Sequence, residues 1–276
     1  MNELMSQGKR TAGRRVRRSV LPIMIAAAAA AALVSGCSSS SSSDSKASTS
    51  QAAPPSQLPD GAQIVAESAK TTQTLQSVHV VMNVQNLPTL PVESLKADVT
   101  NQPQGQGQAI GEAKVKVKQD ADFTDTKFMV VDKTLYTGDG SKYSPVGPAE
   151  KIYDPGVLLD KDKGLANVIA QVKNAKAESR EKIDGVDTVK VSGTIDASVF
   201  DPVVPQIGKD GGTFPITLYI KDVAPPSGAG TTLPSTAASP GTGPNLVRAV
   251  VTKDTGTVTV TLSDWAKPVH VTKPGS

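Results

Sequence analysis

Residues with catalytic or metal-binding chemistry are sparse in this 276-residue chain. It has two histidines, His79 and His270, and neither has a neighbour in sequence that marks it as a ligand or a general base. Asp120, Asp122 and Asp125 cluster, but they lack the glycine and the terminal glutamate of a calcium loop. The spacings of zinc proteases, serine hydrolases and phosphate-binding loops are absent. The sequence therefore predicts a protein that is not an enzyme and that has no cofactor and no metal site.

The single cysteine, Cys37, lies where bacterial lipoproteins are acylated. Six basic residues precede an apolar run from Val20 to about Val34, and two small residues separate that run from the cysteine. This order is typical of an export signal, and the run is shorter than the roughly 20 apolar residues of a spanning helix. We expect residues 1–36 to be removed as a signal peptide and Cys37 to carry acyl chains such as palmitate. The alternatives are an ordinary secretory signal with a stray cysteine and an uncleaved anchor helix.

Composition narrows the function classes further. The whole chain has a formal charge of +3, and residues 1–36 hold six basic residues and one acid, so the remainder carries −2. This charge gives no support to nucleic-acid binding. Once Cys37 is acylated no thiol remains, which excludes disulfides, thiolate metal sites and cysteine catalysis.

The mature chain divides into a tether and one domain. Residues 37–59 are rich in Ser, Ala, Gln and Pro, so they predict a lipidated, flexible tether that cannot build a core. Residues 60–276 are long enough for a single large domain. Within this domain, residues 223–244 are rich in Pro, Gly, Ser and Thr and predict an exposed loop.

Alternation of apolar and polar residues predicts strands over most of the domain. They are expected at residues 77–85, 95–100, 113–118, 124–131, 134–137, 176–183, 186–195, 214–220, 246–251 and 257–262, with a short strand at Tyr143 and a β-like tail around Val269 and Val271. Turns are expected at Asp132-Lys133 and at Asp184-Gly185. Consecutive strands joined by hairpins predict one antiparallel sheet, and so many strands must curl or close. The polar row Lys114, Lys116 and Lys118 is expected to be a solvent face, with attraction to anionic lipid headgroups as the alternative.

Helical spacing occurs in a few short stretches. Asp60, with Gln63 three residues later, predicts a capped helix that ends near Gln76. Asp196 predicts the cap of a short helix from Ala197 to about Val204. A helical middle of short elements over 148–172 separates two runs of strands. The fold class is therefore α+β, with one antiparallel sheet and several short helices.

Several stretches make the chain resemble the mycobacterial LppX/LprAFG lipoproteins. The residues that carry this resemblance are 77–81, 98–103, 146–156, 164–167, 190–196 and 262–265. The resemblance covers essentially all of residues 58–274.

This resemblance implies a strongly bent antiparallel sheet, a half-open barrel, with helices on its concave side and a large apolar cavity between them. It also implies a function, which is to bind di- or triacylated lipids or glycolipids and carry them across the mycobacterial envelope. The acyl anchor at Cys37 would hold such a carrier on the extracytoplasmic face of the plasma membrane.

The cavity wall is predicted from strand alternation combined with this resemblance, because such apolar rows are core residues by default. The candidate lining residues are Val78, Val80, Met82, Val84, Leu95, Ala97, Val99, Ala113, Val115, Val117, Leu158, Leu165, Val168 and Ile169.

A second hypothesis from another class stays open at this point. The chain could be an accessory or sensing protein that docks on a membrane partner such as an exporter or a sensor kinase. An enzyme would need a cluster of polar side chains in the cavity, for which the sequence offers no candidate.

Overall fold

The computed structural model describes residues 57–103, 106–116, 118, 120–223 and 242–275. The predicted signal peptide, Cys37 and nearly all of the tether lie outside the described residues, as do Val117 and most of the 223–244 loop. Within the described ranges, no helix is long and apolar enough to span a membrane.

Eleven strands among the described residues pair into one antiparallel sheet, and their order is β6-β5-β4-β3-β2-β1-β11-β10-β9-β8-β7. Their bounds are β1 Ser77–Gln85, β2 Val92–Thr100, β3 Gln108–Val115, β4 Thr124–Val131, β5 Thr134–Gly138, β6 Tyr143–Pro148, β7 Lys173–Ile183, β8 Val186–Asp196, β9 Thr213–Lys221, β10 Leu246–Lys253 and β11 Gly256–Ser263. The sheet bends around one core and does not close, which confirms the predicted fold class.

Tight turns fix the hairpins at both ends of the sheet order. Asp132 and Lys133, between β4 and β5, have positive φ angles of 49° and 59°, as do Asp184 (49°) and Gly185 (84°) between β7 and β8. Two consecutive left-handed residues make a turn whose twist matches that of the flanking strands. Both turns were predicted from the sequence.

The two edge strands, β6 and β7, are protected against pairing with other chains. β6 contains Pro145 and Pro148, which have no backbone N–H to donate. β7 places charged residues at its exposed positions, from Lys173 to Lys182. Because β6 and β7 are consecutive in the chain, residues 149–172 run from one edge of the sheet to the other, and we call them the bridging segment.

The helices are short and belong largely to the bridging segment and its neighbours. They are α1 Gly61–Gln73, α2 Leu165–Ala170 and α3 Ala197–Phe200, with two 3₁₀ helices at Ala149–Lys151 and Pro155–Leu159. Asp60 caps α1 as predicted, because its carboxylate accepts a hydrogen bond from the Gln63 backbone N–H at 2.8 Å. α1 ends at Gln73, somewhat earlier than expected.

Two local predictions were wrong. Asp196 was expected to cap α3, but its side chain makes no capping hydrogen bond and pairs instead with Lys173 Nζ at 2.6 Å. The hydrogen bond and charge of Lys173 lower the pKa of Asp196. The tail around Val269 and Val271 is not a strand. Val271 instead packs on a small apolar cluster of β4 and β5 that lies apart from the main core.

Gly61 lets the first turn of α1 rest on β7. A Cβ atom at this position would lie 2.6 Å from the Ala175 carbonyl oxygen and 2.7 Å from the Ala177 nitrogen, which are backbone atoms with little freedom to move. Replacing glycine by alanine within a helix ordinarily stabilises it by about 0.8–1.0 kcal/mol. At position 61 we instead expect the replacement by alanine to destabilise the protein.

We predict that Gly61→Ala lowers the free energy of unfolding by about 1–3 kcal/mol, because the added methyl group overpacks the α1–β7 contact. Urea unfolding followed by circular dichroism measures the change. Ala62→Ser, at the exposed neighbouring position, is the matched control and should change stability by less than about 0.5 kcal/mol. A more stable Gly61→Ala protein would contradict this packing of α1 on β7.

Candidate functional site: the apolar interior

The predicted lining residues converge on one apolar cluster. Ten of them are buried in it: Val78, Val80, Val84, Ala97, Val99, Ala113, Leu158, Leu165, Val168 and Ile169. Met82, Leu95 and Val115 are partly buried and pack against the same cluster. Val117 lies outside the described residues. The strand and helix candidates therefore face each other across a single interior.

Strand register explains how the sheet builds one wall of this interior. Val80 of β1 lies opposite Ala97 of β2 and Leu262 of β11, and Leu95 of β2 lies opposite Ala113 of β3. Because side chains alternate between faces along a strand, these residues share the apolar face of the sheet. Their chain neighbours, such as Lys96 and Glu112, are exposed on the other face.

The apolar wall extends well beyond the predicted residues, onto β8, β9, β10 and β11. Its buried members there include Val189, Val191, Ile195, Phe214, Ile216, Leu218, Ile220, Ala249, Val251, Val258, Val260 and Leu262. The same alternation was visible in these strands, so the signal existed in the sequence. Alternation does not show which strand faces join into one wall, so the predicted lining covers only β1–β3 and the helical middle.

Short elements cover this wall. The second 3₁₀ helix contacts β2 and β3, while α2 contacts α1 and α3. Leu158, Leu159 and the α2 residues Leu165, Val168 and Ile169 are the buried side of this cover. Phe200 and Ile207, in and after α3, complete it on the β8–β9 side. The interior is therefore bounded by a continuous sheet on one side and by separate short helices on the other.

Polar contacts hold the bridging segment in place. Tyr153 Oη donates a hydrogen bond to the Val203 carbonyl at 3.1 Å, which joins this segment to the loop after α3. Asp154 accepts a hydrogen bond from the Gly156 backbone N–H at 2.8 Å, and Gly156 lies so close to Gly107 that neither position has space for a side chain. These contacts fix the start of the second 3₁₀ helix above β3.

The polar groups within the described interior are few and are mostly satisfied locally. Thr71 and Thr72 of α1 donate to backbone carbonyls one turn earlier, at 2.9 and 2.8 Å. Glu67 pairs with Lys70 at 3.0 Å. The described residues contain no cluster of histidine, cysteine or carboxylate side chains that could hold a metal ion. Such an interior is suited to holding a ligand by apolar contact.

The outer face of the sheet is polar and carries a groove of about 500 Å³ lined by residues such as Lys96, Glu112 and Lys127. Lys114 pairs with Glu93 at 2.7 Å, and this hydrogen bond and charge raise the pKa of Lys114. Lys116 binds the Pro88 carbonyl and lies 5.4 Å from the centre of the Phe123 ring. Two of the three lysines in the row are thus engaged by the protein itself, which favours the solvent-face interpretation over binding of lipid headgroups.

Neither histidine takes part in a constellation that suggests chemistry. His79 Nδ1 lies 2.7 Å from Asp98 Oδ1 across the β1–β2 pair, on the outer face. His270 is exposed in the C-terminal tail. A single histidine–carboxylate pair on a strand is an ordinary structural contact.

Comparison with known proteins identifies the class to which this fold and interior belong. The sequence profile described as LppX_LprAFG lipoprotein matches residues 60–271. The chain therefore belongs to the LppX_LprAFG lipoprotein family.

Individual relatives differ in how similar their sequences are to this chain. LprF of Mycobacterium tuberculosis (strain ATCC 25618 / H37Rv), named as a diacylated glycolipid transporter, is 52% identical over 222 residues, which cover 80% of each chain. LprG of Mycolicibacterium hassiacum, named as a lipoarabinomannan carrier protein, is 36% identical over 226 residues, covering 80% of this chain and 87% of that protein. The crystal structure of LprF from Mycobacterium bovis matches with a TM-score of 0.71 at 52% identity, over 79% of this chain and 99% of that chain.

We predict that Tyr153→Phe lowers the free energy of unfolding by about 1 kcal/mol at neutral pH, because the Val203 carbonyl loses its donor. Burial raises the pKa of Tyr153 above its ordinary value. Above a pH of about 10 the unfolded chain loses this proton and the folded chain keeps it, so the stability of the wild-type protein falls as pH rises. Phenylalanine has no such proton.

The difference between the two proteins should therefore shrink as pH rises above about 10. Urea unfolding at neutral and alkaline pH measures it, and the neutral range, where neither protein titrates at this position, is the internal control. A difference that stays constant across the alkaline range would contradict the burial of the Tyr153 hydroxyl.

Proposed function

We propose that this protein is a membrane-anchored lipoprotein that binds acylated lipids or glycolipids in its apolar interior and carries them across the cell envelope. The observation that supports this most directly is the one-sided sheet, whose apolar face is covered by short helices rather than by a second sheet or by a partner domain. LprF is named for the transport of diacylated glycolipid and LprG for carrying lipoarabinomannan, and an acylated lipid or glycolipid is the cargo proposed here.

Apolar burial supplies the driving force for such a carrier. Each methylene group moved out of water contributes about 0.8 kcal/mol, so two long acyl chains gain on the order of 20 kcal/mol when they are shielded. A headgroup of sugar or phosphate would remain in water, because the described interior has few polar side chains to receive it.

We expect bound lipid to displace the cover and to leave the sheet intact. The sheet is held together by backbone hydrogen bonds between all neighbouring strands. The cover consists of helices of three to six residues together with α1, and these elements are joined by packing and by a few polar contacts such as Tyr153–Val203. Elements with few stabilising contacts open first. Acyl chains would therefore insert between the cover and the sheet, beside Ala97, Ala113 and Leu158.

The anchor is proposed from the sequence alone. Acylation of Cys37 would hold the domain at the extracytoplasmic face of the plasma membrane, since two or more acyl chains anchor a protein stably where one does not. Residues 37–59 would then act as a tether between the membrane and α1. A carrier of this kind would keep its cargo shielded from water while it moves over the distance that the tether allows.

We predict that Cys37→Ala abolishes incorporation of labelled fatty acid into the full-length chain expressed in a mycobacterial host. Gel fluorography after metabolic labelling measures this, and Ser38→Ala, the adjacent substitution, is the matched control that should keep the label. Label retained on Cys37→Ala would show that the chain is acylated elsewhere, and a wild-type chain without label would show that residues 1–36 act as an ordinary signal.

We predict that Ala113→Trp lowers the amount of co-purified lipid several-fold without unfolding the protein. The indole would project from the apolar face into the space opposite Leu95 and beneath the second 3₁₀ helix. Native mass spectrometry with lipid extraction measures occupancy, using protein from a mycobacterial host. Glu112→Trp, the exposed neighbour on the same strand, adds the same bulk to the outer face and should leave occupancy unchanged.

Equal lipid occupancy in Ala113→Trp and the wild-type protein would contradict the assignment of this face. A well-folded wild-type protein that carries no lipid and does not take up added glycolipid would contradict the carrier function. That outcome would favour the hypothesis of docking on a membrane partner.

A further inference from the structure

Exposed apolar residues concentrate at one edge of the sheet. The large apolar side chains that are exposed in the described residues are Leu58 (38%), Val146 (54%) and Ile152 (52%). Val146 and Ile152 lie in one stretch, residues 144–152, together with Pro145 and Pro148, which are exposed as well. We call Pro145, Val146, Pro148 and Ile152 the β6 patch.

The fold does not bury this patch, although it buries most other large apolar residues of the described domain. In residues 144–152 only Ala149 is buried. Isolated exposed apolar residues are normal on protein surfaces, but a concentration of them in one stretch indicates contact with an apolar partner. Pro145 and Pro148 also make this edge a poor template for an added strand, which argues against a protein strand as the partner.

The position of the patch links it to the interior. β6 is one of the two unpaired edges of the sheet, and Ile152 lies near the start of the bridging segment. The next residue, Tyr153, makes the hydrogen bond that joins this segment to the loop after α3. A partner that takes up Ile152 would therefore sit at the open side of the sheet, beside the elements that cover the apolar wall.

The charges near the patch are compatible with binding to a lipid surface, but they are few and of mixed sign. Lys133 lies beside the patch, because its carbonyl accepts a hydrogen bond from the Ala149 N–H at 2.9 Å. Lys151 lies within the stretch, and among the described residues neither lysine forms an ion pair. Glu150 and Asp154 are acids of the same region and partly offset these charges. Insertion of apolar side chains should thus contribute more to binding than attraction to anionic headgroups.

The tether brings the patch within reach of a bilayer. About twenty residues separate Cys37 from the described domain, and such a chain spans roughly 25 Å when relaxed and at most about 70 Å when extended. A domain held this close to lipid by an acyl anchor can turn one face toward the membrane. The stretch with exposed apolar side chains and flanking lysines is the face best suited to that contact.

We propose that the β6 patch inserts into the interfacial region of a lipid bilayer and places the open side of the sheet against the lipids that supply or receive cargo. This inference rests on the proposed carrier function and deepens it. It assigns Val146 and Ile152 as the inserting side chains, with Lys133 and Lys151 facing the headgroups.

The test uses residues 53–276 without the acyl anchor, so that the patch alone determines binding. The chain in the crystal structure of LprF is matched over 99% of its length by 79% of this chain, so it consists almost entirely of the corresponding domain. Flotation with phosphatidylcholine vesicles, with and without phosphatidylglycerol, measures partitioning. We expect Val146→Ser/Ile152→Ser to reduce partitioning on both vesicle types by at least about five-fold. Leu58→Ser, the matched control, should partition as the wild-type domain does.

A second variant separates charge from apolar insertion. Lys133→Gln/Lys151→Gln should lower partitioning about two- to three-fold on vesicles with phosphatidylglycerol and leave it unchanged on phosphatidylcholine alone. Circular dichroism of each variant confirms that the fold is retained.

Several outcomes would overturn the proposal. They are partitioning of Val146→Ser/Ile152→Ser equal to that of the wild-type domain, a loss of the same size in Leu58→Ser, and no binding by the wild-type domain. A dimer in sedimentation velocity that Val146→Ser/Ile152→Ser abolishes would assign the patch to a second copy of the chain instead. Native mass spectrometry of the same proteins tests cargo separately, because a domain that keeps its lipid but ignores vesicles remains a carrier without this docking surface.

Discussion

An eleven-stranded sheet that is apolar on one face has to shield that face from water, and this structure buries it without closing the sheet. The strands at the two edges, β6 and β7, are separated by the bridging segment, which folds back as part of the cover. Every other feature follows from this arrangement. The apolar wall needs a cover, the cover consists of short helices because they come from one connection and the flanking chain, and the edges need proline and charge because they stay unpaired.

The two sides of the interior differ in how they are held. The wall is stabilised by backbone hydrogen bonds along all strand pairs, whereas the cover depends on packing and a few polar contacts, including Tyr153 with Val203 and Lys253 with the Ile207 carbonyl at 3.0 Å. A lipid that competes for the wall therefore competes with the cover rather than with the sheet. Under the proposed function, this asymmetry would let the sheet stay intact while the cover gives way to cargo.

Much of the architecture could be predicted because side-chain alternation is a local property. It placed Val80, Ala97 and Ala113 on one face, and their register in the structure confirms that they share it. Alternation also marks an apolar face on β8–β11, but that this face continues the wall of β1–β3 depends on β1 pairing with β11, a contact between distant parts of the chain. Asp196 failed as a helix cap for a related reason: Lys173, brought close by the pairing of β7 with β8, engages its carboxylate. Whether the interior opens for cargo depends on packing energies that alternation does not encode.

The central position of β11 has a consequence for how the protein reaches its native state. This strand, Gly256–Ser263, pairs with β1 on one side and β10 on the other, so the last of the described strands joins the first six to the remaining four. Pairing between segments so far apart in sequence is slow, because loop closure has to precede the contacts that reward it. Assembly of the full sheet must therefore wait until β11 is available. During the proposed export of the chain, this requirement would delay assembly of the sheet until β11 has crossed the membrane.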